Sequence, residues 1–165
     1  MQKFLFGIIE DSTYSIIGYE GDEENVVIPD NYGGTKVTVI CDKVFRGHTE
    51  IRSVSIPDTV TDMGEFIFEG CENLHQIILS SELRYLWGYT FAYCGIEEIV
   101  LPDKLTTLPP FAFKSCKNLK KVVCGKGLKK IYSWVFGGCD KLVDVICSPD
   151  VDISPQAYEL KELNT

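Results

Sequence analysis

Two histidines, His48 and His75, and seven cysteines are the side chains of this 165-residue chain best suited to proton transfer, nucleophilic attack or metal ligation. A catalytic thiol needs a basic partner, and a structural zinc needs four soft ligands, commonly in CxxC spacing. No two cysteines have that spacing, and seven is an odd count, which also argues against a closed disulfide framework. Carboxylates cluster in "GDEEN" and "EEI" without the glycine-rich loop that wraps a calcium ion, so solvated acidic loops are the better reading. "GKG" at 125–127 lacks the rest of a phosphate-cradling GxxxxGK[ST] loop. No residue set carries a reaction, and the expectation is a non-enzymatic protein with no cofactor and no metal.

The cysteines instead obey a period. "FEGCENLHQIIL" at 68–79 returns as "FKSCKNLKKVVC" at 113–124 and "FGGCDKLVDVIC" at 136–147. The aromatic column is Phe45, Phe68, Phe91, Phe113 and Phe136, at spacings of 23, 23, 22 and 23, and the short copy lacks one residue between Cys94 and Ile96. Other apolar columns keep step: Met63, Leu86, Leu108 and Ile131; Leu74, Ile96, Leu119 and Leu142; Ile77, Ile99, Val122 and Val145. A fixed period near 23 means a solenoid, because one such unit cannot bury its apolar face until the next stacks on it. The alternation around Ile77 and Leu79 predicts a short strand with two inward side chains. Pro57 and Pro102 stop their strands, and the segment before each aromatic is expected to cross the back as a turn or short helix.

Cys71, Cys94, Cys116 and Cys139 share one column, three residues after the aromatic, with His48 in the first copy. Free cysteine is a small hydrophobe with a weak S–H donor, which suits a tight inward corner, so core thiols are the favoured reading. Stacked coils put such thiols in a line about 4.8 Å apart rather than at tetrahedral corners, which disfavours metal; parallel Cβ vectors disfavour disulfides between coils. His48 reads as a satisfied inward group and His75 as a surface residue.

The consensus F-x-x-C-x-x-L-x-x-I-x-L-P resembles the BspA-type leucine-rich repeat family, and "YSIIGYEGDEENVVIPDNYGGTKVTVI" looks like the segment that leads into such repeats. Ser80, Gly125 and Ser148 depart from the strand-ending proline. The resemblance implies recognition of proteins or cell surfaces, with no catalytic residues to carry over. The expected fold is an α/β solenoid: a right-handed leucine-rich repeat superhelix of about six coils with a parallel concave sheet. It forms a single domain, 1–165, with an N-terminal β-hairpin cap at 1–25, repeats over 26–147 and a C-terminal cap at 148–165.

The formal net charge of −8 disfavours nucleic acid and anionic lipid as partners. Charge is uneven: residues 1–113 sum to −11, whereas 114–130 hold seven lysines and no acid. No run approaches a membrane span, so no membrane insertion is expected. The start "MQKFLFGIIEDS" lacks the apolar core of a secretory leader. The chain therefore reads as cytoplasmic as written, or as surface or secreted if a leader has been trimmed.

Three surfaces carry a pattern. Strand positions between the core residues form two rows on the expected concave face: Ser53, Gln76, Glu98, Lys121 and Asp144, then Ser55, Ile78, Val100, Val123 and Ile146. Four successive apolar rungs span about 14 Å and read either as sheet-stabilising β-branched residues or as a recognition strip edged by charge. An aromatic row, Phe66, Tyr89, Phe111 and Trp134, with Trp87 and Tyr132 nearby, is better placed to pack the back than to bind. The lysine belt at 114–130 could meet an acidic polymer, although a coil balanced by acidic neighbours is the favoured reading. The function expected is a protein-binding module, its ligand unidentified and self-association possible, recognising a protein or cell-surface ligand through the concave face. The alternatives are a structural segment of a larger display or adhesion protein, or a binder of acidic polymers through the belt.

Overall fold

The structure is a computed structural model that describes residues 1–161; the last four residues of the expected C-terminal cap lie outside it. An antiparallel hairpin, β1 (Lys3–Ile8) and β2 (Tyr14–Glu20), opens the chain as expected, and β2 then pairs in parallel with the first coil. That coil holds β3 (Asn25–Val27), β4 (Asn31–Tyr32) and β5 (Thr35–Ile40). Its five extra residues make a second hairpin, β4–β5. Gly33 and Gly34 occupy the tip at φ +58° and +84°, the left-handed pair that a two-residue turn requires.

Each later coil contributes one three-residue and one two-residue strand. The longer ones are β6 (Ser53–Ser55), β8 (Gln76–Ile78), β10 (Glu98–Val100), β12 (Lys121–Val123) and β14 (Asp144–Ile146). The shorter ones are β7 (Asp62–Met63), β9 (Tyr85–Leu86), β11 (Thr107–Leu108), β13 (Lys130–Ile131) and β15 (Asp152–Ile153). With one interruption, they pair in parallel with the matching strand of the neighbouring coil, giving a long-strand face and a short-strand face. The repeat columns thus become the coils of a β-solenoid, as the period requires.

The expected α/β class is corrected, because there is no helix among the described residues. The reason is backbone handedness. Lys43, Phe66, Tyr89, Phe111 and Trp134 all stand at φ between +56° and +65°, and four residues later Gly47, Gly70, Tyr93, Ser115 and Gly138 are left-handed again. A helix needs consecutive right-handed residues, and two left-handed positions per arm forbid it. The arm's N–H groups turn instead to the next coil: Phe66, Phe68 and Gly70 donate to the carbonyls of Gly88, Thr90 and Ala92 at 3.2, 2.8 and 2.9 Å. Backbone groups that a helix would pair within itself are paired between coils.

Both ladders stop at one place. The long-strand face divides between β8 and β10, and the short-strand face between β9 and β11. This is where the repeat has 22 residues, so the missing residue draws one corner inward and breaks the register of both faces. Gly95 occupies that corner, and a Cβ there would lie 2.1 Å from the Glu72 carbonyl oxygen. Gly95→Ala is therefore expected to cost about 1–3 kcal/mol by forcing the two coils apart, measured by urea unfolding. At the break, Ile77 and Leu79 are half-buried, whereas Val54 and Ile99 in the same column as Ile77 are 2% exposed.

The interior is a set of stacked columns. Phe45, Phe68, Phe91, Phe113 and Phe136 are buried and stack face to face with centroids 5.2, 5.7, 5.3 and 5.8 Å apart. Tyr19 of the hairpin tilts onto Phe45 at one end and Tyr158 stacks on Phe136 at the other. Ser80, in the column of Pro57 and Pro102, is buried and donates to the Val60 carbonyl at 2.6 Å, so the departure from consensus is satisfied rather than strained.

Candidate partner-binding face

The rows predicted on the longer strands are brought together by strand register. Ser53 pairs with Gln76 and Ser55 with Ile78; beyond the break, Glu98, Lys121 and Asp144 align, as do Val100, Val123 and Ile146. Inward neighbours alternate with them, so these side chains point out: Ile78 is 68%, Val100 67% and Ile146 51% exposed, with Val123 half-buried. The rows form two groups, one on each side of the break, rather than one unbroken sheet.

Sequence reasoning missed the first rung. Asn25 and Val27 align with Ser53 and Ser55, and Val27 is 65% exposed. The signal was available, because Val26 and Ile28 match Val54 and Ile56 in the inward columns. Ser53 Oγ donates to Asn25 Oδ1 at 2.6 Å, tying these polar rungs together. Outside them runs a third row in which charges pair between coils, Arg52 with Glu24 at 3.3 Å and Lys120 with Glu97 at 2.9 Å. At the break these rows border a depression of about 670 Å³, lined by Asn25, Val27, Ser55, His75, Ile78 and Glu98 among others. His75 is exposed there, its Nδ1 3.2 Å from the Gly95 carbonyl oxygen.

The lysine belt is partly spent on neighbours. Lys117, Lys120 and Lys130 bridge to Asp140, Glu97 and Asp152 at 2.9, 2.9 and 3.0 Å, and these hydrogen bonds hold each ammonium above its ordinary pKa. Lys114 lies over the rings of Tyr89, Tyr93 and Phe111. The outer aromatics Phe66, Tyr89, Phe111 and Trp134 stack at 4.8, 4.7 and 5.5 Å, their faces consumed by one another. Trp87 is 54% exposed instead, at the edge of a depression of about 700 Å³ on the short-strand side, with Asp42, Asp62 and Glu65.

The cysteine column is a hydrogen-bonded ladder. Cys71, Cys94, Cys116 and Cys139 donate from Sγ to the carbonyls of Phe45, Phe68, Phe91 and Phe113 at 2.9–3.0 Å, each reaching back one coil. Burial pushes the Cys71 thiol up to about 12, and those of Cys94 and Cys116 well above the ordinary value. His48 stands at the head of this column, its ring edge-on to Tyr19 and its Nδ1 against Glu50. Among the described residues, no group of three or more His, Cys, Asp and Glu side chains could hold a metal ion, and no helix is long and apolar enough to cross a membrane.

Parallel strands on two faces, a stacked phenylalanine interior and thiols bonded to the preceding coil define a repeat β-solenoid of the leucine-rich class. The family model for the BspA type leucine rich repeat region matches six copies over residues 38–164, and the chain belongs to that family. It is similar to the crystal structure of a leucine-rich repeat protein from T. pallidum, TpLRR, with 27% identity and a TM-score of 0.71 over 91% of this chain and 82% of that one. A Bacteroides ovatus leucine-rich repeat protein aligns at 24% identity and TM-score 0.61, over 84% of this chain and 44% of that chain. The pneumococcal vaccine antigen PcpA aligns at 18% identity and TM-score 0.67, over 94% of this chain and 49% of that chain. The chain thus spans less than half the length of the last two. No curated protein matches the sequence.

Proposed function

We propose that the chain is a non-catalytic recognition module whose long-strand face takes a protein partner. The observation that carries this reading is the apolar row: Val27, Ile78, Val100 and Ile146 are each more than half exposed on a face whose inward residues already hold the fold. Sheet propensity alone would be met by threonine or serine, as Ser55 meets it in the second coil, so water-facing Ile and Val at four other rungs are in excess of what folding needs. The adjoining row, Glu98, Lys121 and Asp144, alternates in sign and would fix the orientation of whatever lies along the strip. Membership of a repeat family and likeness to PcpA, described as a vaccine antigen, support recognition at a surface. The acidic-polymer alternative is weakened by the inter-coil bridges that hold Lys117, Lys120 and Lys130.

The double substitution Val100→Lys and Val123→Lys tests the reading. Replacing the centre of an apolar strip with two ammonium groups is expected to weaken a captured protein partner at least roughly a hundredfold, as for central hot spots. Melting temperature should stay close to that of the unmodified chain, because both side chains point away from the core. Unchanged affinity would move the site to the Trp87 side, and unfolding would mean that the strip serves stability.

A further inference from the structure

The short copy departs from its neighbours at one corner in two ways. Between the core cysteine and the next inward residue, the neighbours place two side chains, Glu72 and Asn73 before it and Lys117 and Asn118 after it. The short copy has Gly95 alone. The second left-handed position of its arm, held elsewhere by Gly47, Gly70, Ser115 or Gly138, is Tyr93 at φ +59°. An aromatic residue strains that backbone where glycine would not, and residues held in strained conformations gather at functional positions. Burial in the core does not account for it, because Tyr93 is 42% exposed.

The absent pair leaves a notch of about 400 Å³, lined by Glu72, Asn73, Tyr93, Gly95, Lys117 and Asn118 among others. Its floor is backbone, since the Glu72 carbonyl stands where a Cβ of Gly95 would be. Asn73 and Asn118 lie two coils apart, about 9.6 Å along the stack. Their amides are held in opposite senses. Asn73 Nδ2 donates to the Thr49 carbonyl at 2.8 Å, which leaves Oδ1 as an acceptor. Asn118 Oδ1 accepts from Lys141 Nζ at 3.1 Å, which leaves its NH2 as a donor. Lys117 is drawn off to Asp140.

We propose that this notch is a saccharide site, taking a neutral pyranose with its C–H face on Tyr93 and two adjacent hydroxyls between the Asn73 and Asn118 amides. A pyranose presents an apolar face that an exposed aromatic ring can cover, and tyrosine loses little rotamer freedom in doing so. Each hydroxyl is donor and acceptor at once, so one donates to Asn73 Oδ1 while its neighbour accepts from Asn118 Nδ2. A purely apolar ligand would leave both amides unpaired, and an acidic sugar would meet the Glu72 carboxylate. Two coil spacings leave room for one ring with a hydrogen bond on each side, and the volume is that of a small-ligand site.

The methyl glycosides of glucose, galactose and mannose are the probes, titrated into the intact chain and followed by amide NMR. At least one should shift the Gly95 N–H and the side-chain amides of Asn73 and Asn118, with a Kd of about 1 mM, the scale open to a ligand of so few atoms. Asn118→Asp keeps the oxygen that Lys141 engages and removes the donor, so affinity should fall roughly tenfold or more with an unchanged melting temperature. Tyr93→Gly removes the platform and relieves the backbone. It should weaken binding by a similar factor, roughly tenfold or more, while melting at the same temperature or higher. No shift at the notch with any of the three glycosides, undiminished binding by Asn118→Asp, or a Tyr93→Gly chain that melts clearly lower would overturn the proposal. The Val100→Lys and Val123→Lys double variant should bind the glycoside unchanged, so this site and the strand-face reading fail separately.

Discussion

Phe91→Ala is expected to destabilise the protein by about 3–5 kcal/mol, the usual range for emptying an aromatic site that cannot collapse. Phe91 is fully buried in the middle of the ring column, stacked on Phe68 at 5.7 Å and on Phe113 at 5.3 Å, so one deletion removes two ring contacts. It also sits beside the ladder break, where no strand pairing ties β8 to β10. The columns hold the two halves together there with the arm hydrogen bonds from Phe91 and Tyr93 N–H to the Ala112 and Lys114 carbonyls at 2.9 and 2.8 Å. Urea unfolding should therefore show more than a shifted midpoint. With the central stack emptied, coupling between neighbouring coils falls and the halves are expected to unfold in separate steps, since repeat proteins are held by nearest-neighbour interfaces. The exposed residue Lys117 supplies the control, and Lys117→Ala should change stability by no more than about 0.5 kcal/mol. Equal losses at the two sites would refute the column assignment.

Thiol reactivity should divide the cysteines sharply. Cys71, Cys94 and Cys116 are buried and bonded to carbonyls, while Cys41, Cys124, Cys139 and Cys147 are partly accessible. A thiol reagent attacks the thiolate, so the buried three must wait for local opening. Their labelling is expected to be at least roughly a thousandfold slower than that of the accessible four, because opening a central coil costs several kcal/mol. In denaturant without reductant all seven should react, and a lower count would reveal disulfides. The same burial predicts a pH dependence. With the folded Cys71 near 12 and the unfolded thiol near 9, both states keep the proton below pH 9 and stability is fully present. Above pH 9 only the unfolded chain loses it, so stability falls as pH rises toward 12. Thermal melts at pH 7 and pH 10 check the sign; a higher melting temperature at pH 10 would contradict it.

The amino-acid sequence alone determined the repeat, because an apolar period of about 23 residues records which side chains must share an interior. It likewise placed Ile78, Val100, Val123 and Ile146 on one outward row, since strand side chains alternate whatever their partners. The thiol column was legible for the same reason. Two features were decided only in three dimensions. The arm is not helical because Phe66, Tyr89, Phe111 and Trp134 hold left-handed backbone. Such a conformation is unusual for aromatics and is held here by hydrogen bonds to the next coil, which propensity cannot anticipate. The single-residue deletion at Gly95 is visible in the spacing, but its effect on both ladders depends on how closely that corner approaches the Glu72 carbonyl. Burial belongs to neighbours rather than to residues, and only the stacked structure shows that Ile77 is half-buried at the break while Val54 and Ile99 in the same column are covered.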